Sequence, residues 1–254
     1  FSIGHVHADK GDYDKALDYY ARSLAIAEEL GNKRGIGTSL GNIGLVHADK
    51  GDYEKALNYL GRSLAIQEEL GDKYGMGYSL NSIGNVHYYK GDYDKALDYF
   101  NRSLAISEEL GDKYGMGYSL LSIGNVHFKR GDYDKALDYY GRSLAISEEL
   151  GDKREMGYSL GSIGLVHSDK GDYDKALDYY DRALAIFEKL GDKHGVGNCL
   201  LNIGIVHYDK CGSDTALDYF NRSLAISEDL GDKRGMGYSL NSIGNVHNYK
   251  GDYD

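Results

Sequence analysis

Residues 91–130, GDYDKALDYFNRSLAISEELGDKYGMGYSLLSIGNVHFKR, decide how the rest of the chain reads. Almost the same 40 residues begin at Gly11, Gly51, Gly131 and Gly171, and a degraded copy begins at Cys211. The ten residues before Gly11 match the end of a unit, and residues 251–254 match the start of one. A fixed period of this length is the signature of stacked supersecondary units, each unable to bury its apolar face alone. Residues that stay fixed between copies serve the shared architecture, and those that vary can serve something local.

Within the quoted unit the breaks are plain. Gly91-Asp92 and Gly111-Asp112 punctuate the chain, each offering a glycine for a left-handed position and an aspartate for an N-cap. After Tyr93, apolar residues fall at Ala96, Leu97, Phe100, Leu104 and Leu110, the steps of one helix face. A second helix carries Met116, Leu120, Ile123, Gly124, His127 and Phe128, and Lys129-Arg130 suit its C-terminus. Two helices joined by turns this short must pair antiparallel. No proline interrupts either one. The run Ser-Ile-Gly-Asn-Val-His does not alternate for long enough to make a strand. Gly84 and Ala96 are expected to let the two helices of a pair approach closely.

With the first helix of a unit at residues 72–90 and its partner at 92–110, a pattern emerges in Leu80, Ile83, Gly84, His87, Gly91, Tyr93, Ala96 and Phe100. It resembles the tetratricopeptide repeat in its longer, 40-residue form, the form of GoLoco-carrying cell-polarity scaffolds and of many bacterial signalling proteins. His87 stands where that family commonly has tyrosine and Ser103 where it has alanine, and no proline follows the second helix. The resemblance covers essentially the whole chain. It implies an all-α fold, an α-solenoid wound as a right-handed superhelix of antiparallel helix pairs, with first helices inside. The expected division is a truncated first unit at 1–30, helix-pair units at 31–70, 71–110, 111–150, 151–190 and 191–230, and an unpaired helix with the next unit's start at 231–254. A chain that starts mid-helix without methionine reads as a fragment of a larger protein.

Composition narrows the function. Of 254 residues, 41% are hydrophobic and 27% charged, the balance of an ordinary water-soluble domain. No run approaches the length needed to cross a bilayer, so no membrane partner is expected. A net charge of −11, with lysines interleaved among acids, opposes nucleic-acid binding. Cys199 and Cys211 lie near opposite ends of one helix, too far apart for a disulfide, and read as reduced thiols of a cytoplasmic protein. The Cys-Gly-Ser at 211–213 replaces Gly-Asp-Tyr and loses both a cap and a tyrosine.

Histidine recurs at 7, 47, 87, 127, 167, 207 and 247. One per unit, these side chains stand too far apart to share an ion, and no acid or thiol clusters with them, so they read as packed against the partner helix and no metal is expected. The fixed Arg22, Arg62, Arg102, Arg142, Arg182 and Arg222 read as structural surface or inter-unit contacts. The serines of Tyr-Ser-Leu have no base beside them and the glycines form no phosphate loop, so neither catalysis nor a cofactor is expected.

What differs between copies is a stripe along the first helices, in steps of four, three, four and three. In the third unit it reads Tyr74, Tyr78, Asn81, Asn85, Tyr88, and in the fourth Tyr114, Tyr118, Leu121, Asn125, Phe128, with Lys129 following. The resemblance makes this the concave, ligand-facing surface and likens Asn85 and Asn125 to asparagines that hold a peptide backbone. The lysines of a carboxylate clamp are missing, Lys129 being the one nearby. The expected site is therefore a peptide-binding groove of Tyr74, Tyr78, Asn81, Asn85, Tyr88, Tyr114, Tyr118, Asn125, Phe128 and Lys129, taking an extended or helical protein segment. The alternative is a spacer or self-assembling array, since near-identical units also suit head-to-tail stacking through the end faces.

Overall fold

A computed structural model describes residues 12–251. They form twelve α-helices, here α1 (Tyr13–Glu29), α2 (Lys33–Asp49), α3 (Tyr53–Leu70), α4 (Lys73–Tyr89), α5 (Tyr93–Leu110), α6 (Lys113–Lys129), α7 (Tyr133–Leu150), α8 (Lys153–Asp169), α9 (Tyr173–Leu190), α10 (Lys193–Asp209), α11 (Ser213–Leu230) and α12 (Lys233–Lys250). Even-numbered helices are the first helices of their repeats. The partial helix read at 1–10, His7 with it, and the unit start at 252–254 lie outside the described residues.

The chain divides into two compact units, Phe1–Val126 and His127–Asp254. In the first, α1 to α5 each pack on the next helix, and α2 also touches α4. In the second, α7 to α12 do the same, with further contacts of α8 to α10 and α10 to α12. This is an all-α solenoid of antiparallel pairs in which packing stays between near neighbours.

The turns explain the antiparallel pairing. At the end of α4 the Asp92 amide donates to the His87 carbonyl at 2.9 Å and the Gly91 amide to that of Tyr88 at 3.0 Å. These bonds satisfy the last carbonyls and require φ near +80° at Gly91. Cys211 occupies the same place at φ +62°, the single described non-glycine residue with positive φ. Asp72 and Asp112 cap as expected, each accepting from the amide three residues on at 3.1 Å. Asp92 does not: its side chain makes no cap hydrogen bond. Its carboxylate instead meets His87 Nδ1 at 3.3 Å.

That pairing belongs to a column repeated through the chain. His87 stacks on Tyr99 with centroids 5.5 Å apart, and the Arg102 guanidinium lies 5.2 Å from the same ring. Arg102 also reaches Asp98 at 3.7 Å, one turn back on its own helix. The same arrangement recurs at His47, Tyr59 and Arg62, and at His167, Tyr179 and Arg182. His47, His87, His127, His167 and His207 are packed side chains, as expected, whereas His247 on α12 is exposed. His207 keeps its tyrosine, Tyr219, but Gly212 stands where its carboxylate would be.

Inside each pair the first helix is notched by glycine. The ring of Phe100, not Ala96, lies nearest Gly84, where an added Cβ would come within 2.6 Å of it. Ser103, in place of the usual alanine, donates to the Gly77 carbonyl at 2.8 Å and accepts from Ser119 at 3.1 Å, so its buried hydroxyl is satisfied. In the unit holding Cys199 the corresponding hydroxyl pair is gone. Ala183 and Cys199 share an apolar cluster there with Leu160 and Phe187, and burial pushes the Cys199 thiol up to about 12. Both cysteines are free, with Cys211 exposed.

Lysines tie successive copies. Lys50 meets Asp14 at 2.8 Å and Lys90 meets Glu54 at 2.6 Å. Lys170, Lys210 and Lys250 meet Asp134, Asp174 and Asp214 at 3.0, 2.7 and 2.8 Å. Every tie spans 36 positions.

Candidate protein-binding surface

In the first unit, α4 and α6 carry the variable stripe. Tyr74 and Tyr114 are the outermost, 62% and 61% exposed, and Tyr78 and Tyr118 are also exposed. Elsewhere their position is tied down: Arg34 reaches Asp72 at 3.7 Å, Arg154 reaches Asp192 at 3.2 Å, and His194 lies 4.0 Å from Asp232. Tyrosine cannot form that ion pair, and at Tyr74 and Tyr114 an exposed ring takes the place of an exposed charged side chain.

Deeper along the stripe, Asn85 donates through Nδ2 to the Tyr118 hydroxyl at 3.3 Å. This contact brings together the amide of one repeat and the aromatic of the next. Burial of the Tyr78 hydroxyl end, then Tyr118, Tyr20 and Asp49 nearby, raise the pKa of Tyr78. Tyr88 is half-buried among Tyr89 and Tyr93, its ring 5.4 and 5.9 Å from theirs. Burial first, then those two phenols, push it up to about 12. Asn125 is half-buried like Asn85.

Asn81 departs from the expected groove. It is 4% exposed, and its Nδ2 donates to Ser119 Oγ at 3.1 Å between α4 and α6. Its Oδ1 is buried without a partner. The third stripe position turns inward, so Asn81 is a helix-packing residue. Phe128 and Lys129 belong to the second unit, where the Phe128 ring lies 5.9 Å from Tyr133 and Lys129 Nζ sits 5.6 Å from Phe128.

Asp49 escaped notice in the sequence although it faces Tyr78. Its position varies as freely as the stripe, through Asp49, Tyr89, Lys129, Asp169, Asp209 and Tyr249, and that variation was the available signal. Among the described residues, no group of three or more histidine, cysteine or acidic side chains could hold a metal. No described helix is long and apolar enough to cross a membrane. The exposed tyrosines and their neighbouring amides make a surface suited to contact with protein: rigid rings that lose little rotamer freedom, beside groups that both donate and accept.

Short turns through a left-handed residue, notched first helices and solenoid packing define a helical-repeat protein of the protein-interaction kind. The family model for the tetratricopeptide repeat matches residues 1–69, 75–153 and 155–229, and the chain belongs to that family. No curated protein matches it in sequence. Among solved structures, BtubC from P. vanneervenii superposes with a TM-score of 0.73 at 18% identity, over 87% of this chain and 92% of that one. A Rap protein complexed with Competence and Sporulation Factor gives 0.72 at 16% identity, over 98% and 74%. A signal transduction ATPase with a tetratricopeptide repeat sensor, from Pyrococcus horikoshii, gives 0.72 at 19% identity over 99% of this chain. The present chain spans 41% of that ATPase.

Proposed function

We propose that the aromatic and amide surface of α4 and α6 binds an extended or helical segment of another protein, as the interaction module of a cytoplasmic signalling or scaffolding protein. The observation that carries this reading is the pair of exposed rings on successive first helices, Tyr74 and Tyr114, 62% and 61% exposed. Tyr78, Asn85, Tyr88, Tyr118 and Asn125 complete the surface. A signalling host rather than a cell-polarity scaffold is the reading supported by the sensor ATPase and the Rap protein that share the fold.

The combined variant Asn85→Ala with Asn125→Ala tests it. Each amide removes hydrogen bonds worth about 0.5–1.5 kcal/mol, so a partner captured by the unaltered chain should bind the variant about tenfold more weakly. Helicity should be unchanged, and Arg62→Ala with Arg102→Ala on the second helices should leave binding intact. Equal affinity of partner for both proteins would remove the reading.

A further inference from the structure

The second unit holds a cavity of about 380 Å³ that the first unit's surface does not involve. Three tyrosines, Tyr133, Tyr173 and Tyr180, meet in its lining, with Leu165 and Ile205 as apolar walls. One small side chain in the lining contributes to it. Ser168 stands where Tyr88 and Phe128 stand in the preceding copies, and those rings lie 5.9 Å from Tyr93 and Tyr133 respectively. Opposite Tyr173 there is only a serine hydroxymethyl, and the space a ring would occupy is open.

The charged groups in the lining are both acidic. Asp169 accepts from the Tyr133 hydroxyl at 3.4 Å, and Asp209 faces the same space. Burial, and then the charge of Asp169, hold the Asp209 carboxyl above its usual range. The lysines that follow each of them in sequence, Lys170 and Lys210, are turned to Asp134 and Asp174 at 3.0 and 2.7 Å. Neither cavity carboxylate is ion-paired among the described residues.

We propose that this cavity receives the guanidinium of an arginine side chain presented by a protein segment. Tyr133 and Tyr173 beside two carboxylates favour a cation that is flat, weakly hydrated and able to donate to several oxygens at once, which a guanidinium is and an ammonium is not. The proposal is independent of the reading of α4 and α6, and a single chain can use both surfaces.

The test titrates the isotope-labelled full chain with acetyl-Gly-Gly-Arg-Gly-Gly-amide and follows amide resonances by nuclear magnetic resonance. The same peptide is prepared with lysine and with neutral, isosteric citrulline. The arginine peptide should shift resonances at the C-terminal ends of α8 and α10 and bind at least tenfold more tightly than either relative. Ser168→Tyr, which installs the residue tolerated at position 88, should weaken it at least tenfold, as should Asp209→Asn. Asn85→Ala with Asn125→Ala should leave it unchanged, which separates this site from the first. Equal binding of citrulline or lysine peptides, undiminished binding to a folded Ser168→Tyr chain, or no shift at all would each overturn the proposal.

Discussion

Phe100→Ala is expected to lower folding stability by about 3–5 kcal/mol, the range for losing a large buried aromatic. Phe100 is 1% exposed, and its ring fills the notch that Gly84 leaves in the facing helix. Removing it strips the transfer free energy of the ring and leaves a void bounded by a glycine, which has no side chain to move in. Relaxation must therefore come from α4 and α5 shifting bodily, and both are held by their other neighbours. Urea denaturation followed by circular dichroism measures the loss. A decrease below about 1 kcal/mol would mean that the helices close over the gap and that ring and notch do not set their spacing.

Two glycine substitutions in one unit should act in opposite directions. Gly84→Ala forces a methyl to within 2.6 Å of the Phe100 ring, and the rearrangement should cost about 1–3 kcal/mol. Gly61 lies in the exposed middle of α3, and an added Cβ there meets nothing within 4 Å. Gly61→Ala should stabilise by about 0.5–1 kcal/mol, because alanine loses less backbone freedom in a helix. Thermal midpoints of the two variants, compared with the parent, decide the matter. If both move the same way, close approach at Gly84 is not what glycine serves there.

The helices were readable because the signals that end them are local. Gly91, Gly111 and their counterparts fix left-handed turns wherever they occur, and the apolar steps of Ala96, Phe100 and Leu104 require no knowledge of the partner. Asp92 was misread for the opposite reason. Its cap geometry competes with an imidazole five positions back, and a cap motif cannot reveal that His87 is within reach. Asn81 was misread because a stripe drawn on one helix does not say how far the next first helix overlaps it. Copy-to-copy composition carried a hint: Gly41, Leu121, Gly161 and Leu201 at that position are small or apolar. The exposed Tyr74 and Tyr114 were found as variable residues. That they replace an arginine whose partner is the next first helix's capping aspartate is a contact between helices, which the stripe on one helix does not display. The cavity beside Ser168 was beyond sequence reading, since it is defined in part by what a serine fails to fill.

The lysine ties at a constant separation of 36 positions bear on how such a chain can change in evolution. Because each lysine finds an acid at the same place in the preceding copy, excision or duplication of one whole 40-residue segment rejoins ends that already fit. Excising residues 51–90, for example, would set the notch of Gly44 against Phe100 instead of Leu60, and Gly84 already accommodates that ring. Unequal crossing-over between nearly identical coding segments would thus yield folded arrays of different lengths without any interface having to be reinvented. Recombination would be edited by the period itself, since an exchange that is not a whole multiple of it breaks the tie that spans the junction.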